Sequence, residues 1–398
     1  MKRRLLPILM TLVLVCALPI WAAFVTSGDV TNPLVSTAWA TLPDLQAKID
    51  AAADNATITL DSNTEIAATL QITKNLTLDL NGYVLKMGGT GRVIHITSSA
   101  EVEIKDGESN RAHTGEYAAL PAGGVITGGK AESGGGILLD GGCTLKLTGG
   151  CITDCRATDT GGGGVDLRGS TAILYISGTA RIENCTAGEM WGANAIFNSG
   201  TMYADGGTVD GTVNNQGTIK RSEGTADMDM TVFNKAVYNR AGKSIEAGIY
   251  KGTVENRGSI TGGTFYGGVT DDGGTIRGGT FAVTFDRGDG TKTEPTLVEW
   301  NGKVSRPTSD PEKSGHTFVG WYLGDALYDF DTPVNAPLTL TARWEEVPSS
   351  DGYYYYPTTD TKTDDTKGSP KTADPGAALY GALALLSLTG LTCTAKKR

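Results

Sequence analysis

Residues 134–158 read GGGILLDGGCTLKLTGGCITDCRAT, and residues 161–187 read GGGGVDLRGSTAILYISGTARIENCTA. The two stretches are near copies of each other, and in both of them apolar residues alternate with polar ones between glycine-rich corners. Matching apolar residues are 28, 29 or 30 positions apart, and the small drift falls at Gly and Thr. The matching pairs are Ile137 with Val165, Leu139 with Leu167, Leu145 with Leu174, Leu147 with Ile176, and Ile152 with Ile182.

This alternation predicts about three short strands in each copy, because side chains of a strand point to opposite faces in turn. A repeat of this length cannot bury its own apolar face, so it must stack on its neighbours. We therefore predict an all-β fold in which residues 41–281 form a right-handed parallel β-helix. Terminal hydrophobic helices are expected outside it.

Two further stretches concern the two ends of this β-helix, which we call the rod. Residues 43–53 have helical spacing, with Leu45, Ile49 and Ala52 on one face, and predict a short helix that covers the first open end. Beyond Gly192 the repeat shortens to 15 residues, as in GTVENRGSITGGTFY from 252 and GGVTDDGGTIRGGTF from 267. The pattern leaves open whether such a unit is a full coil or part of one.

The segment from Thr57 to Leu85 resembles the opening coils of secreted pectin-lyase-like β-helix proteins. The resemblance rests on a strand that ends in Asp79-Leu80-Asn81-Gly82. It implies the fold and says nothing about chemistry.

Composition limits the possible partners and cofactors. The 398 residues carry a formal charge of −10, which argues against binding nucleic acid through its phosphates. The six Cys form no CxxC motif, and the three His are far apart, so no metal site is predicted. We expect no cofactor.

Many β-helix proteins are polysaccharide lyases or hydrolases, which need clustered carboxylates to hold Ca²⁺ or to act as acid and base. The aligned repeats place Arg168 beside Asp140 and Leu138 beside Asp166, so no repeated acidic column results. We therefore predict no catalytic residues and no enzyme activity. The carboxylates considered are Asp140, Asp154, Asp159, Asp166 and Glu183.

Cys155 and Cys185 end the matching segments ITDC and IENC. Aligned residues in adjacent coils lie about 4.8 Å apart, which is within the Cα separation that a disulfide allows. A secreted protein can be oxidised, so a Cys155–Cys185 disulfide is predicted. The alternative is a stack of two small buried thiols.

Residues 282–346 resemble the Listeria–Bacteroides repeat, also called the internalin B-type repeat. The resemblance implies a small β-grasp-like module of bacterial cell-surface proteins. The residues themselves predict a compact core of Phe285, Phe318, Trp321, Phe330 and Trp344. The matching segments are VTFD at 283–286, GKVSRP at 302–307, GHTFVGWY at 315–322, YDF at 328–330 and LTLTARW at 338–344.

The two ends carry targeting signals. Residues 1–40 contain a basic start and an apolar run typical of a secretory signal peptide. Residues 347–368 are a polar linker, which is expected to be disordered. Residues 369–398 resemble a Gram-positive cell-wall sorting signal, with Ser369-Pro370-Lys371-Thr372-Ala373 in place of its LPxTG pentapeptide. The resemblance implies sortase and peptidoglycan as partners, and the alternative is a plain membrane span.

These features together predict a secreted protein with an extracellular body, anchored to the cell wall or membrane. The expected function is that of an adhesin-like protein that contacts glycans or the surfaces of host or neighbouring cells. The alternatives are a polysaccharide lyase or hydrolase on a β-helix scaffold, or a structural spacer of the envelope. An exposed aromatic strip would favour glycan binding, and an acidic column would favour the enzyme.

Overall fold

The computed structural model of the protein describes residues 40–188, 193–226 and 229–347. Up to residue 281 the chain winds into successive rungs, each with three strands that pair in parallel with the strands of the next rung. The rungs form three walls, numbered in the order in which the chain passes through them from Leu70–Ile72 onward. These stacked parallel sheets confirm the solenoid expected from the repeats.

The first wall is a nine-stranded parallel sheet. Its strands are Leu70–Ile72, Ile94–Ile96, Ile137–Leu139, Val165–Leu167, Ile196–Asn198, Val213–Asn215, Val237–Asn239, Val254–Asn256 and Val269–Asp271.

The second and third walls belong to one continuous sheet, because two strands, Ile173–Glu183 and Thr201–Asp210, run through the corner between them. The second wall also contains Ala56–Thr59, Leu76–Asp79, Glu101–Lys105, Thr144–Leu147, Thr218–Lys220, Ser244–Ile245, Ser259–Ile260 and Thr275–Ile276. The third wall also contains Ala40–Thr41, Thr64–Ile66, Val84–Met87, Val125–Thr127, Cys151–Thr153, Val232–Phe233, Ile249–Tyr250, Thr264–Phe265 and Thr280–Asp286.

The strand register agrees with the alignment of the two sequence copies. Every pair that the alignment matches is a pair of Cα partners in adjacent rungs, and these side chains are buried in the core. The register is this well defined because a slip of one residue would turn the whole apolar set outward.

The first end of the rod is covered by a helix, as predicted. The helix spans Leu42–Ala51, and Leu45 and Ile49 are 3% and 1% exposed against the core of the first rungs. Lys74 Nζ donates to the carbonyl oxygens of Asp50 and Ala52, which satisfies acceptors at the helix end.

A loop from 107 to 122 leaves the wall and folds back on its outside. It contains a 3₁₀ turn, Gly115–Tyr117, and Tyr117 is buried against Val84, Val125 and Cys151 in a small second core. A two-stranded parallel pair, Lys130–Ala131 with Arg156–Ala157, lies in the connections that follow the third wall.

Each 15-residue unit near the end of the rod is a complete rung, which answers a question that the sequence leaves open. Residues 252–266 supply one strand to each wall, and each strand pairs with its counterpart one unit later. Two ladders of like side chains run through these thin rungs.

The first ladder consists of buried asparagines. Asn198 Nδ2 donates to Asn215 Oδ1, Asn215 to Asn239, and Asn239 to Asn256, each at 2.8 Å, and Asn256 donates to Asp271 at 3.2 Å. The ladder satisfies amides that would otherwise be costly to bury.

The second ladder is aromatic. Phe233, Tyr250, Phe265 and Phe281 stack in turn, with ring centroids 4.9 to 5.3 Å apart, and all four are fully buried. Tyr250 Oη donates to the carbonyl oxygen of Ala247 at 2.6 Å, so the one polar group in this ladder has a partner.

The C-terminal domain begins inside the last strand of the rod. Strand Thr280–Asp286 pairs with the rod through Thr280 and Phe281, and with Leu338–Glu346 in parallel through Val283 to Asp286. The predicted boundary between 281 and 282 therefore falls within one continuous strand. The remaining strands are Thr296–Glu299, His316–Leu323 and Ala326–Leu327, and no helix occurs among residues 282–347.

The aromatic residues of this domain form its core, as predicted. Phe285 and Trp321 are buried with their rings edge to face at 4.8 Å, and Phe318, Phe330 and Trp344 are partly buried against them. Such edge contacts suit the charge distribution of aromatic rings.

Candidate functional site

Two tyrosines stack on the outer face of the second wall. Tyr175 and Tyr203 are register partners in adjacent rungs, and their rings lie 4.3 Å apart with planes 6° from parallel. Both are half-buried, and they alternate with Leu174 and Ile176, which point into the core. The strand pattern therefore presents this aromatic pair to the outside.

A lysine lies on each side of the tyrosine pair. Lys146 is the register partner of Tyr175 and forms an ion pair with Glu101, and Lys220 Nζ lies 4.8 Å from the centroid of the Tyr203 ring. Burial raises the pKa of Tyr175 above its ordinary value. The phenol is therefore protonated at neutral pH and can donate a hydrogen bond.

The corner between the second and third walls contains glycines in five rungs: Gly178 and Gly206 in two adjacent rungs, and Gly248, Gly263 and Gly279 in the last three, while the rung between these groups has Thr231 before its third-wall strand. We call this row the glycine corner. All five have positive φ, which an L side chain rarely adopts. A Cβ at any of these positions would lie 2.4 to 3.0 Å from the neighbouring rung or from the aromatic ladder, so the corner has room for glycine only.

Two cavities lie next to each other at this corner. The larger, of about 600 Å³, is lined in part by Thr179, Arg181 and Asp205, and the smaller, of about 340 Å³, shares Thr179 and Arg181 with it. Asp205 follows Tyr203 by two residues, so the larger cavity adjoins the tyrosine pair. The Asp205 carboxylate accepts hydrogen bonds from the backbone N and the hydroxyl of Ser222, at 2.7 and 2.6 Å.

Two of the carboxylates considered as catalytic groups lie beside basic side chains on the first wall. Asp140 Oδ2 is 3.1 Å from His95 Nε2. Burial raises the pKa of Asp166, while a hydrogen bond from Ser133 and the charges of Arg168 and Arg92 oppose that rise. Leu138 is the register partner of Asp166, as the alignment predicts, so the acidic side chains do not follow one another from rung to rung.

The other carboxylates are scattered. Asp154 occupies a left-handed turn with φ 52°, Glu183 ends a strand of the third wall, and Asp159 lies in a loop. Within the described residues, no group of three or more His, Cys, Asp or Glu could hold a metal ion.

Cys155 and Cys185 lie one rung apart, directly after the paired segments 151–153 and 181–183. Both are buried free thiols in the structure, which is the arrangement of the stacked-thiol alternative. A hydrogen bond with the Cys185 thiol and burial hold the pKa of Cys155 well above its ordinary range. The disulfide stays a prediction.

The predicted sorting signal, Ser369 to Ala373, lies outside the described residues, as do the signal peptide and the apolar C-terminal segment. Among the described residues, no helix is long and apolar enough to cross a membrane.

Sequence reasoning missed the tyrosine pair, although a signal was present. Tyr175 and Tyr203 are 28 residues apart, one of the offsets of the repeat. Trp300, which lines a further cavity between the rod and the C-terminal domain, had no such signal, because its position depends on how the two parts meet.

Comparison with known proteins identifies the C-terminal domain. Residues 281–343 match the Listeria-Bacteroides repeat domain family. The repeat domain thus begins at Phe281, the last ring of the aromatic ladder.

Two proteins of Evansella cellulosilytica share a short similarity with the chain. One is named "Putative membrane protein" and is 34% identical over 67 residues; the other is named "Putative Gly-rich membrane protein" and is 36% identical over 67 residues. Each alignment covers 16% of this chain, and the chain spans only 10% and 8% of the two relatives. No solved structure matches the chain.

Proposed function

We propose that the protein is a cell-surface anchored, adhesin-like rod that binds glycans on its outer wall. The stacked pair of Tyr175 and Tyr203 beside the cavity of about 600 Å³ carries this proposal. It is a half-buried aromatic pair on the outer face, and an aromatic surface there favours glycan binding.

The chemistry of this surface suits a sugar. A sugar ring has apolar C–H faces and polar hydroxyl edges, and a tyrosine offers an apolar ring with a polar tip. Tyrosine also supplies a large contact area at a low cost in conformational entropy. Thr179 and Arg181 in the adjoining cavity add donors for hydroxyl oxygens.

The surface location rests on three supports. The repeat domain belongs to a family that the sequence resemblance associates with bacterial cell-surface proteins, and the two relatives are named as membrane proteins. The pentapeptide from Ser369 to Ala373 resembles a sorting signal, so we propose sortase and peptidoglycan as partners during anchoring. A membrane span at the C-terminus is the alternative.

Two finer features of the fold belong to the same proposal. A right-handed parallel β-helix is supported by the three parallel walls. A β-grasp-like repeat domain is supported by its strand order, in which the first and last strands are parallel neighbours and each has an antiparallel partner on its other side.

A glycan array probed with the full-length chain tests the binding function. Selective binding to a set of glycans is expected, with a loss of about tenfold or more in affinity for Tyr175→Ala and Tyr203→Ala. Tyr266→Ala is the matched control, because Tyr266 is 41% exposed and lies away from the pair. Equal binding by all three variants would show that the pair is not the site.

We also propose that the protein is not an enzyme. Asp140 lies beside His95 and Asp166 near Arg168 and Arg92, in different rungs, instead of forming a carboxylate pair. Incubation with pectin, alginate and glycosaminoglycans in the presence of Ca²⁺ should release no unsaturated or reducing sugars. Release of either would favour the lyase or hydrolase alternative.

A further inference from the structure

A cavity of about 420 Å³ lies where the rod meets the repeat domain. Its rod side consists of the last rungs of the glycine corner, and its other side consists of Glu299 and Trp300 of the repeat domain. Sites for small ligands are commonly concave and lie between domains, and this volume is within their usual range.

The floor of this cavity is bare backbone for a structural reason. A Cβ on Gly262 would lie 2.1 Å from the carbonyl oxygen of Glu246, and one on Gly278 would lie 2.2 Å from that of Thr261. The close stacking of thin rungs therefore requires glycine there. A consequence is a floor with no side chains, which a flat ligand can approach closely.

The wall from the repeat domain is fixed to the last rung. The backbone N of Trp300 donates to the carbonyl oxygen of Gly279 at 2.8 Å, and Glu299 is the register partner of Thr280. Trp300 is partly buried, so its indole combines a fixed position with an accessible apolar surface. A ring placed in this way can stack against a sugar.

The charges that the described residues place around the cavity balance. Arg221 and Arg277 supply two cations, and Glu246 and Glu299 supply two anions; within residues 40–188, 193–226 and 229–347 these four are the charged groups of the lining. An anionic ligand would be opposed by the glutamates and a cationic one by the arginines. A neutral polyhydroxylated ligand can use both, because its hydroxyls accept from guanidinium groups and donate to carboxylates.

We propose that this junction cavity binds one or two rings of a neutral saccharide chain, stacked on Trp300 and held by Arg277, Glu246 and Glu299. The tyrosine pair does not line this site, although Met230 lines both this cavity and the cavity of about 600 Å³ beside that pair. The junction site goes beyond the glycan surface proposed above and does not depend on it.

Isothermal titration of the full-length chain with matched trisaccharides tests the proposal. The probes are tri-N-acetylchitotriose, cellotriose and maltotriose as neutral sugars, chitotriose as a cation and trigalacturonic acid as an anion. At least one neutral probe should bind, more tightly than either charged one. Failure of every neutral probe to bind, or preference for a charged one, would overturn the proposal.

Variants then locate the binding. Trp300→Ala should lower the affinity for the neutral probe by about tenfold or more, while Tyr175→Ala should leave that affinity unchanged. The isosteric double variant Glu246→Gln with Glu299→Gln keeps the shape of the cavity and should gain affinity for trigalacturonic acid. Unchanged binding in Trp300→Ala, or no gain in the double variant, would contradict the assignment. Loss of the array signal in Tyr175→Ala tests the other surface separately.

Discussion

The rings of Phe265 and Phe281 stack with their centroids 5.3 Å apart, and this contact joins the next-to-last rung of the rod to the strand that the rod shares with the repeat domain. Both rings are fully buried. The two parts of the molecule therefore share a core as well as a strand.

Phe281→Ala should destabilise both parts at once. Removing a buried phenylalanine leaves a cavity and costs about 3–5 kcal/mol of unfolding free energy. Chemical denaturation followed by circular dichroism and by tryptophan fluorescence measures it, since Trp300, Trp321 and Trp344 report on the C-terminal side. The exposed Tyr266→Ala is the control, and a loss as small as in that control would show that the ladder does not join the two parts.

Asn239→Ala should weaken the thin rungs. Asn239 donates to Asn256 and accepts from Asn215, so its removal takes one hydrogen bond from a buried amide on each side, while Asn215 keeps its bond to Ser244 O and Asn256 its bond from Gly258 N. Each lost bond costs about 0.5–1.5 kcal/mol. Urea denaturation measures the change against Asn110→Ala at an exposed position; equal midpoints would mean that the ladder contributes nothing.

The thiol of Cys151 makes stability depend on pH. Burial raises its pKa, so the folded state keeps the proton that the unfolded state releases above about pH 8.5. Its stabilising contribution is complete below that pH and is lost as the pH rises, by up to about 1.4 kcal/mol per pH unit. The unfolding free energy, measured in reductant between pH 7 and 10.5, should fall less steeply with pH in Cys151→Val than in the parent protein. Parallel curves of unfolding free energy against pH would refute this.

Cys155 and Cys185 should form a disulfide in protein secreted under oxidising conditions. Their places in adjacent rungs satisfy the separation that the bond needs, and their burial protects the thiols from other reagents. A non-reduced proteolytic digest analysed by mass spectrometry should contain the linked peptides. Two free thiols in such a preparation would leave the stacked-thiol alternative.

The anchor prediction concerns residues beyond those described. A sortase should cut between Thr372 and Ala373, and Pro370 favours the extended chain that such an enzyme needs. Muramidase should then release protein that ends at Thr372. Thr372→Ala should abolish this release, and Lys371→Ala serves as the control. A membrane-bound product that ends at Arg398 would indicate a plain membrane span.

The register of the rod could be predicted because it depends on local alternation. Ile137 and Val165 carry the same apolar pattern at the same corner, and the pleat leaves one pairing that buries both. The asparagine ladder was also present in the sequence, since Asn198, Asn215 and Asn256 each precede a glycine by two residues. It was missed because a polar residue before glycine is ordinarily a turn signal.

The shared strand and the junction cavity could not be predicted. Thr280 and Phe281 complete the last 15-residue unit, while Val283 begins the VTFD segment of the repeat domain, so each half of the strand fits its own pattern. Only the fold shows that the single strand Thr280–Asp286 belongs to both the rod and the repeat domain. The cavity beside Trp300 depends in turn on how these two patterns join.

The continuous strand Thr280–Asp286 also determines how the molecule transmits mechanical force. The rod holds its first residues, and the strand Leu338–Glu346, from which the chain leaves the repeat domain, runs parallel beside its last ones. Tension between the rod and Glu346 therefore pulls these two neighbours past each other along their length. The hydrogen bonds between them bear that load together instead of opening one after another, so the joint resists shear where a tethered surface protein is pulled.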